Sequence, residues 1–498
     1  MTPGLILLCV GIYTLMLFGL TWWTSRGASN ESYFVGDRKS SWYLVAYGMI
    51  GASLSGVTFM SVPGNVGKTH FFYFQVVLGY FVGYFIIAKV LLPLYYRMQL
   101  TSIYTYLEKR LGVHAYKSGA FFFLVSRVFG AACRMYIVVL VLQKFIFEAW
   151  EVPFWATSGI FVLLILAYTY KGGVKTIIWT DTLQTTFMLL SLVLSVYLIS
   201  DHLDINGLVG HVFNDEHSAI FNWDWKQGYF FPKAFLGGMF VSITMTGMDQ
   251  EMMQKNISVK TLGASQKNMI TFSTVMVIVN LLFLGLGVLI WDYVAANPDI
   301  QTALDAKTLT SDELFPTIAL GKLGTVCGLF FIIGLISAAY PSADGALTAL
   351  TASFCIDFLG FNHKEKGWTE ERKVAVRKYV HVGFAILLFV VLLLLKAFTD
   401  KAIIDLILFL ASITYGPLLG LFAFGILVKS RTVSGWPVVL ICLIAPTICY
   451  FMNYFAGPPD GMNYFGGYRF GNELLIINGS LVFLGLYAIS KRTTLHEQ

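Results

Sequence analysis

Seven ionisable residues stand inside otherwise apolar stretches: Arg127, Arg134, Asp181, Asp249, Glu251, Asp344 and Asp405. A charge at the centre of a bilayer costs at least about 2.5 kcal/mol on insertion scales, so such groups line a pathway or pair with one another. Near them the chain carries a run of helix-loosening residues, Gly48, Gly51, Gly56, Pro63 and Gly64, interleaved with Ser53, Ser55 and Thr58. Unwound backbone bares carbonyl oxygens, and a hard cation wants oxygen ligands. The chemistry on offer is therefore coordination of a small cation rather than bond making. No HExxH, GxSxG or paired-histidine motif accompanies it, and His70, His114 and His381 are isolated. The six cysteines are scattered singly without CxxC spacing, which suits small buried hydrophobes and neither zinc nor a disulfide framework. No enzyme activity and no cofactor are expected.

Those residues must be held by membrane-spanning helices. Of 498 residues 57% are hydrophobic and only 12% charged, about half the charge of a soluble domain. The 42 phenylalanines exclude a disordered chain, and a net charge of +6 is small for a nucleic-acid partner of this size. Spans need about 20 mostly apolar residues. Thirteen candidates meet this, near 3–23, 42–66, 70–95, 119–149, 154–172, 180–201, 232–254, 269–293, 318–347, 375–397, 402–428, 434–452 and 472–490. Cations collect in the loops after odd-numbered spans, among them Arg38 and Lys39, Arg97, Lys109 and Arg110, Lys255 and Lys260, Lys429 and Arg431, and Lys491 and Arg492. Acids collect in the alternate loops, as with Asp215 and Glu216 or Asp312 and Glu313. Positive loops stay inside, so the expectation is a plasma (inner) membrane protein with its N-terminus outside and its C-terminus cytoplasmic. The first span lacks a basic lead and a cleavage site and reads as a retained helix. Lys144 and Glu148, one turn apart, read as a snorkelling pair.

The second span is the most interrupted, and five spans later the seventh carries Gly237, Gly238 and Gly247. Broken helices in corresponding positions point to an inverted-repeat transporter and its binding site. For any single glycine, close helix packing is the competing reason. Spans 2–6 (42–201) and 7–11 (232–428) then form two repeats, with the helix at 3–23 and those at 434–490 peripheral, in one membrane domain covering 1–498.

Specific motifs agree. The run Gly172-Gly173-Val174-Lys175-Thr176-Ile177-Ile178-Trp179-Thr180-Asp181-Thr182-Leu183-Gln184 resembles a signature of the sodium:solute symporter family. Gly416-Pro417-Leu418-Leu419-Gly420-Leu421-Phe422 is similar to its second signature, and Tyr33-Phe34-Val35-Gly36 with Arg38, and Tyr106-Leu107-Glu108-Lys109-Arg110, also match. The resemblance spans roughly residues 5–430 and implies an all-α membrane fold of LeuT type, 5+5 inverted repeats, working as a sodium-driven symporter by alternating access. Ser55-Gly56-Val57 with Ser61-Val62-Pro63-Gly64 resembles the iodide, multivitamin and monocarboxylate branch.

Residue by residue, the resemblance implies sodium ligands from the carbonyls of Gly51, Leu54 and Ala338 and the hydroxyl of Ser342. Pro341 stands where the family usually has a further hydroxyl, and its missing N–H frees the Ser337 carbonyl as a substitute. Asp344 and Asp181 are expected to add charge at a second sodium position. The alternatives are an N-cap of the sixth span for Asp181 and a salt bridge to Arg127 or Arg134 for Asp344. The solute site is expected between Ser53, Thr58, Gln75, Val77, Tyr80, Asp249 and Gln250, with Tyr415 closing it. Thr58 and Val77 replace the sugar-bonding glutamine and glutamate of sugar carriers, which disfavours a hexose. The expected partners are sodium ions, a small organic solute and the lipid bilayer. A proton-coupled carrier, in which apposed carboxylates share a proton, a sodium-independent carrier and a transporter-like sensor stay open.

Overall fold

The computed structural model describes residues 2–24, 33–34, 36–170, 173–363, 366–398, 403–457 and 464–492. Val35, Gly172 and the side chain of Asp405 lie outside the described residues. The apolar helices are α1 (Pro3–Thr24), α2 (Trp42–Ser53), α3 (Gly56–Gly64), α4 (Tyr73–Ile86), α5 (Val113–Leu142), α6 (Phe154–Thr169), α7 (Val174–His202) and α8 (Phe231–Ser242). They continue with α9 (Gln250–Ile257), α10 (Leu262–Ala295), α11 (Gly324–Ser353), α12 (Glu370–Phe398), α13 (Ile403–Thr414), α14 (Gly416–Leu427), α15 (Trp436–Phe455) and α16 (Leu474–Ile489). Short connecting helices join them. With α2–α3 and α13–α14 each taken as one broken span, ten segments among the described residues are long and apolar enough to cross a membrane, and the shorter apolar helices α6 and α16 and the broken pair α8–α9 stand at the three remaining expected places.

Burial orders these helices. The apolar stretch of α11 is 78% buried inside the protein, whereas those of α1 and α15 are 28% buried and face lipid. Helices α7 and α11 pack along each other, and α1 and α15 are the least buried of the long apolar helices. The two halves interlock through glycines. A Cβ on Gly79 of α4 would sit 2.8 Å from the Met239 amide nitrogen of α8, and one on Gly238 would sit 3.0 Å from the Val76 carbonyl carbon. Only glycine allows that approach, the membrane counterpart of tight core packing.

Two expectations about lysines are corrected. Lys144 does not pair with Glu148; its ammonium meets Glu313 at 2.6 Å, tying the end of α5 to a capped helix at Ser311–Gly321. Lys255 is no loop cation, since it is buried within α9. The last two basic segments are joined, Arg431–Thr432 pairing antiparallel with Lys491–Arg492.

Candidate functional site

The second span breaks where its glycines predict. Helix α2 ends at Ser53, Leu54 is extended (φ −84°, ψ 90°), and α3 starts at Gly56 with its axis turned by 54°. The lost side chains at Gly48 and Gly51 let α2 lie directly on α7. A Cβ on Gly48 would stand 2.9 Å from that of Asp181, and the Gly51 amide donates to Thr185 Oγ1 at 3.1 Å. The helical ladder skips across the break. Leu54 N–H donates to Ile50 and Phe59 N–H to Ser55, while the carbonyls of Gly51, Ala52, Ser53 and Leu54 receive no backbone N–H among the described residues. Buried carbonyls rarely go unpaired in this way.

Helix α11 faces this break. Gly334 packs against Phe59 of α3 and Ser191 of α7, and Gly345, three turns on, packs against Glu251 of α9. Ala338 and Ser342 lie between them at helical spacing, toward the same side. Ser342 is fully buried and its hydroxyl has no hydrogen-bond partner among the described residues. Pro341 leaves α11 continuous, so only its missing N–H distinguishes it from the usual hydroxyl residue. Asp344 stands about 200° around the helix from Ser342 at 100° per residue. Its Oδ2 accepts from Tyr168 of α6 at 2.9 Å, and no cation among the described residues lies within 4.0 Å of it, so the salt bridge to Arg127 or Arg134 does not form.

The seventh span breaks as well. A π-turn at Ile243–Gly247 follows α8, and Asp249 then caps α9 by accepting from the amides of Glu251 (2.9 Å) and Met252 (3.3 Å). From this cap a buried line of alternating charge runs through the protein. Tyr415 donates to Asp249 Oδ2 at 2.8 Å, and Arg127 lies 3.7 Å from the same oxygen and pairs with Glu251. Glu251 meets Lys255 at 3.2 Å, and Lys255 meets Asp181 at 2.7 Å. Buried charges persist when each has a partner. Asp181 is thus no N-cap: α7 begins at Val174 behind Gly173, and Asp181 sits two turns in as the partner of Lys255.

Between the break and α4, α5, α8 and α10 lies a cavity of about 100 Å³. Ser53, Ser55 and Thr58 bring hydroxyls to it from the break, Tyr73, Tyr80 and Tyr84 line one wall from α4, and Asn280 adds an amide from α10. Arg127 and Arg134 reach it from α5. Arg127 is neutralised by Glu251 and Asp249. Arg134 makes no ion pair within 4.0 Å and no hydrogen bond to any described residue, which leaves its guanidinium open to the cavity.

The family model for the sodium:solute symporter family matches residues 33–441. The chain belongs to that family. This symporter is similar, at 23% identity over 452 residues, to the sodium/sialic acid symporter NanT of Aliivibrio fischeri, covering 89% of this chain and 85% of the relative. It is 26% identical over 414 residues to the sodium-coupled monocarboxylate transporter 1 of Mus musculus, covering 80% of this chain and 64% of that one. Among solved structures, a substrate-bound outward-open sodium-coupled sialic acid symporter superposes with a TM-score of 0.81 at 19% identity, over 98% of this chain and 99% of the other. Mhp1, a nucleobase-cation-symport-1 family transporter, superposes with a TM-score of 0.54 at 14% identity, over 91% and 92%. The expected LeuT-type fold therefore holds, and the chain is a sodium-coupled symporter of a small solute.

In this symporter Ser53, Thr58 and Tyr80 line the cavity as expected. Five other residues expected at the solute are not among its lining residues. Gln75 donates to the carbonyls of Phe72 and Tyr229 and accepts from the Asn222 amide, latching an outer loop. Gln250 clamps the chain at Thr101 and Ile103. Asp249 and Tyr415 hold each other beside Arg127, and Val77 is buried in packing. Each long polar side chain had a backbone partner that no sequence spacing announces. Tyr73, Tyr84, Arg134 and Asn280 join the site instead. Tyr73, Tyr80 and Tyr84 repeat at i, i+7 and i+11, a one-face stripe that was readable as a wall.

Proposed function

We propose that this symporter couples a single sodium ion to the uptake of a small organic carboxylate. The solute assignment rests on one observation: Arg134 is a cavity-lining guanidinium with no carboxylate within 4.0 Å among the described residues. A guanidinium binds carboxylate in a two-pronged, charge-assisted fashion, and the tyrosines, serines and Asn280 around it supply further donors. The names of the similar carriers, sialic acid and monocarboxylate symporters, agree with an organic acid. The cavity suits a short acid better than a sugar.

Sodium takes the carbonyls of Gly51 and Leu54 from the α2–α3 break, with the Ala338 carbonyl and the Ser342 hydroxyl from α11. The support is the four carbonyls that receive no backbone N–H and the Ser342 hydroxyl without a partner among the described residues, on helices that pack against each other. Asp181 already holds a cation in Lys255, and Asp344 is turned to Tyr168. They act as fixed charge around the site rather than as ligands of a second ion. Residues 42–201 and 232–428 are the two repeats that rock against each other, in a plasma membrane with the N-terminus outside and the C-terminus in the cytoplasm.

Tracer uptake into proteoliposomes tests this. With an inward sodium gradient, short carboxylates are expected to accumulate while hexoses and inositols do not, and choline in place of sodium abolishes the uptake. Arg134→Gln should remove carboxylate uptake yet keep the thermal stabilisation by sodium alone. A neutral solute carried equally well by the parent and by Arg134→Gln overturns the carboxylate assignment; uptake driven by a proton gradient without sodium overturns the cation.

A further inference from the structure

Away from the solute cavity, a second and larger hollow of about 720 Å³ opens at the edge of the basic face. Its walls come from Leu92–Arg97, which prolongs α4, from a short helix at Thr105–Leu111, from the start of α10 and from the end of α14. Four cations line it, Arg97, Lys109, Arg110 and Lys429, beside apolar residues such as Val90 and Ile426. Arg110 is fixed in place by donating to the carbonyls of Val428 and Arg431. Arg97, Lys109 and Lys429 are exposed and, among the described residues, none of the four has a carboxylate within 4.0 Å. Glu108, the one acid of the short helix, stands on the side of Tyr116 and Lys117.

We infer that this hollow is a binding site for an anionic phospholipid, with its phosphate among Arg97, Lys109, Arg110 and Lys429 and an acyl chain along Val90 and Ile426. Like charges gathered without a counter-ion repel one another, and a phosphate-bearing headgroup relieves that repulsion. The apolar wall selects an amphiphile over a soluble anion: Val90 is 44% exposed, an apolar contact that only a chain in the membrane can cover. Basic pockets between spans on the cytoplasmic side are where such headgroups lodge. The site joins both repeats, since α4 and the short helix belong to one and α10 and α14 to the other. A lipid seated there braces the two halves on the inner side.

The test needs neither sodium nor solute, so it stands or falls apart from the transport assignment. Detergent-purified protein is titrated with phosphatidylglycerol or phosphatidylcholine, with retained lipid read by native mass spectrometry and stability by the thermal midpoint. The parent is expected to retain phosphatidylglycerol in preference and to gain stability from it. The triple variant Arg97→Gln, Lys109→Gln, Lys429→Gln, all exposed positions, should bind it on the order of a hundredfold more weakly. Lys175→Gln with Arg372→Gln, two exposed cations that are not among the residues lining the hollow, should bind like the parent. Undiminished binding by the triple variant overturns the site, as does an equal loss in this control pair. Equal stabilisation by millimolar inorganic phosphate alone overturns the lipid.

Discussion

Arg134 and Ser342 are the two side chains whose isolation is informative. Both are polar groups placed where a partner is missing, and each predicts a distinct loss. Arg134→Lys keeps the charge but not the planar fork, so the KM for carboxylate should rise about tenfold with sodium affinity unchanged. Ser342→Ala removes one oxygen from the sodium shell, and the sodium concentration for half-maximal uptake should rise about tenfold. Asp344→Asn, on the opposite side of α11, should change it less than about twofold; a loss as large as that of Ser342→Ala would place Asp344 in the shell. Glu251 is different, because it is shared by Arg127 and Lys255. Glu251→Gln leaves Lys255 with Asp181 alone and Arg127 with only the 3.7 Å contact to Asp249, and should cost about 3 kcal/mol of stability, read as a lowered thermal midpoint even without ligand. Which residue types matter was visible in the sequence, since charge inside an apolar run is conspicuous. The pairings were not: Lys255 looked like a loop cation and Asp181 like a charge for a second sodium, or else a cap, until α9 and α7 were seen side by side.

The helices themselves were legible because lipid leaves the backbone few options. Thirteen apolar runs became helices at the expected places, ten of them long and apolar enough to cross, and the glycine clusters marked two breaks at residues 54–55 and 248–249. A third break at Tyr415, bent by 42°, was signalled only by Gly416-Pro417. Proline fits the first turn of a helix better than its middle, so that pair starts α14 as a new helix. What glycines do between helices is equally specific. Gly48 lets α2 approach α7 at the level of Asp181, and a methyl group there has nowhere to go. Gly48→Ala should push α7 outward at a cost of about 1–3 kcal/mol, lowering the thermal midpoint and weakening sodium binding together. An unchanged midpoint would mean that the two helices are free to slide.

Taken as one machine, the symporter has a charge balance that sets what it can accumulate. One sodium and one monovalent carboxylate together add no net charge. A potential of 100 mV, worth about 2.3 kcal/mol per charge, then contributes nothing, and a tenfold sodium gradient, worth about 1.4 kcal/mol, sustains about tenfold accumulation. Imposing an inside-negative potassium diffusion potential with valinomycin should leave carboxylate uptake unchanged. Faster uptake under that potential would require a second cation and would direct attention to Asp344.

The sequence by itself determined the membrane class, the places and order of the apolar helices, and the family. Each follows from local chemistry repeated along the chain: apolar length, loop charge, glycine where helices unwind, and short motifs. Only the tertiary structure decided which oxygens lack partners and which are already taken. Gln75 and Gln250 were withdrawn from the solute by backbone groups 147 and 149 positions away in the chain, at Asn222 and Thr101. Arg134 was left exposed to the cavity for the converse reason. A polar side chain in lipid must be satisfied, and its nearest partner is fixed by how helices pack, a distance that spacing along one strand of sequence does not contain.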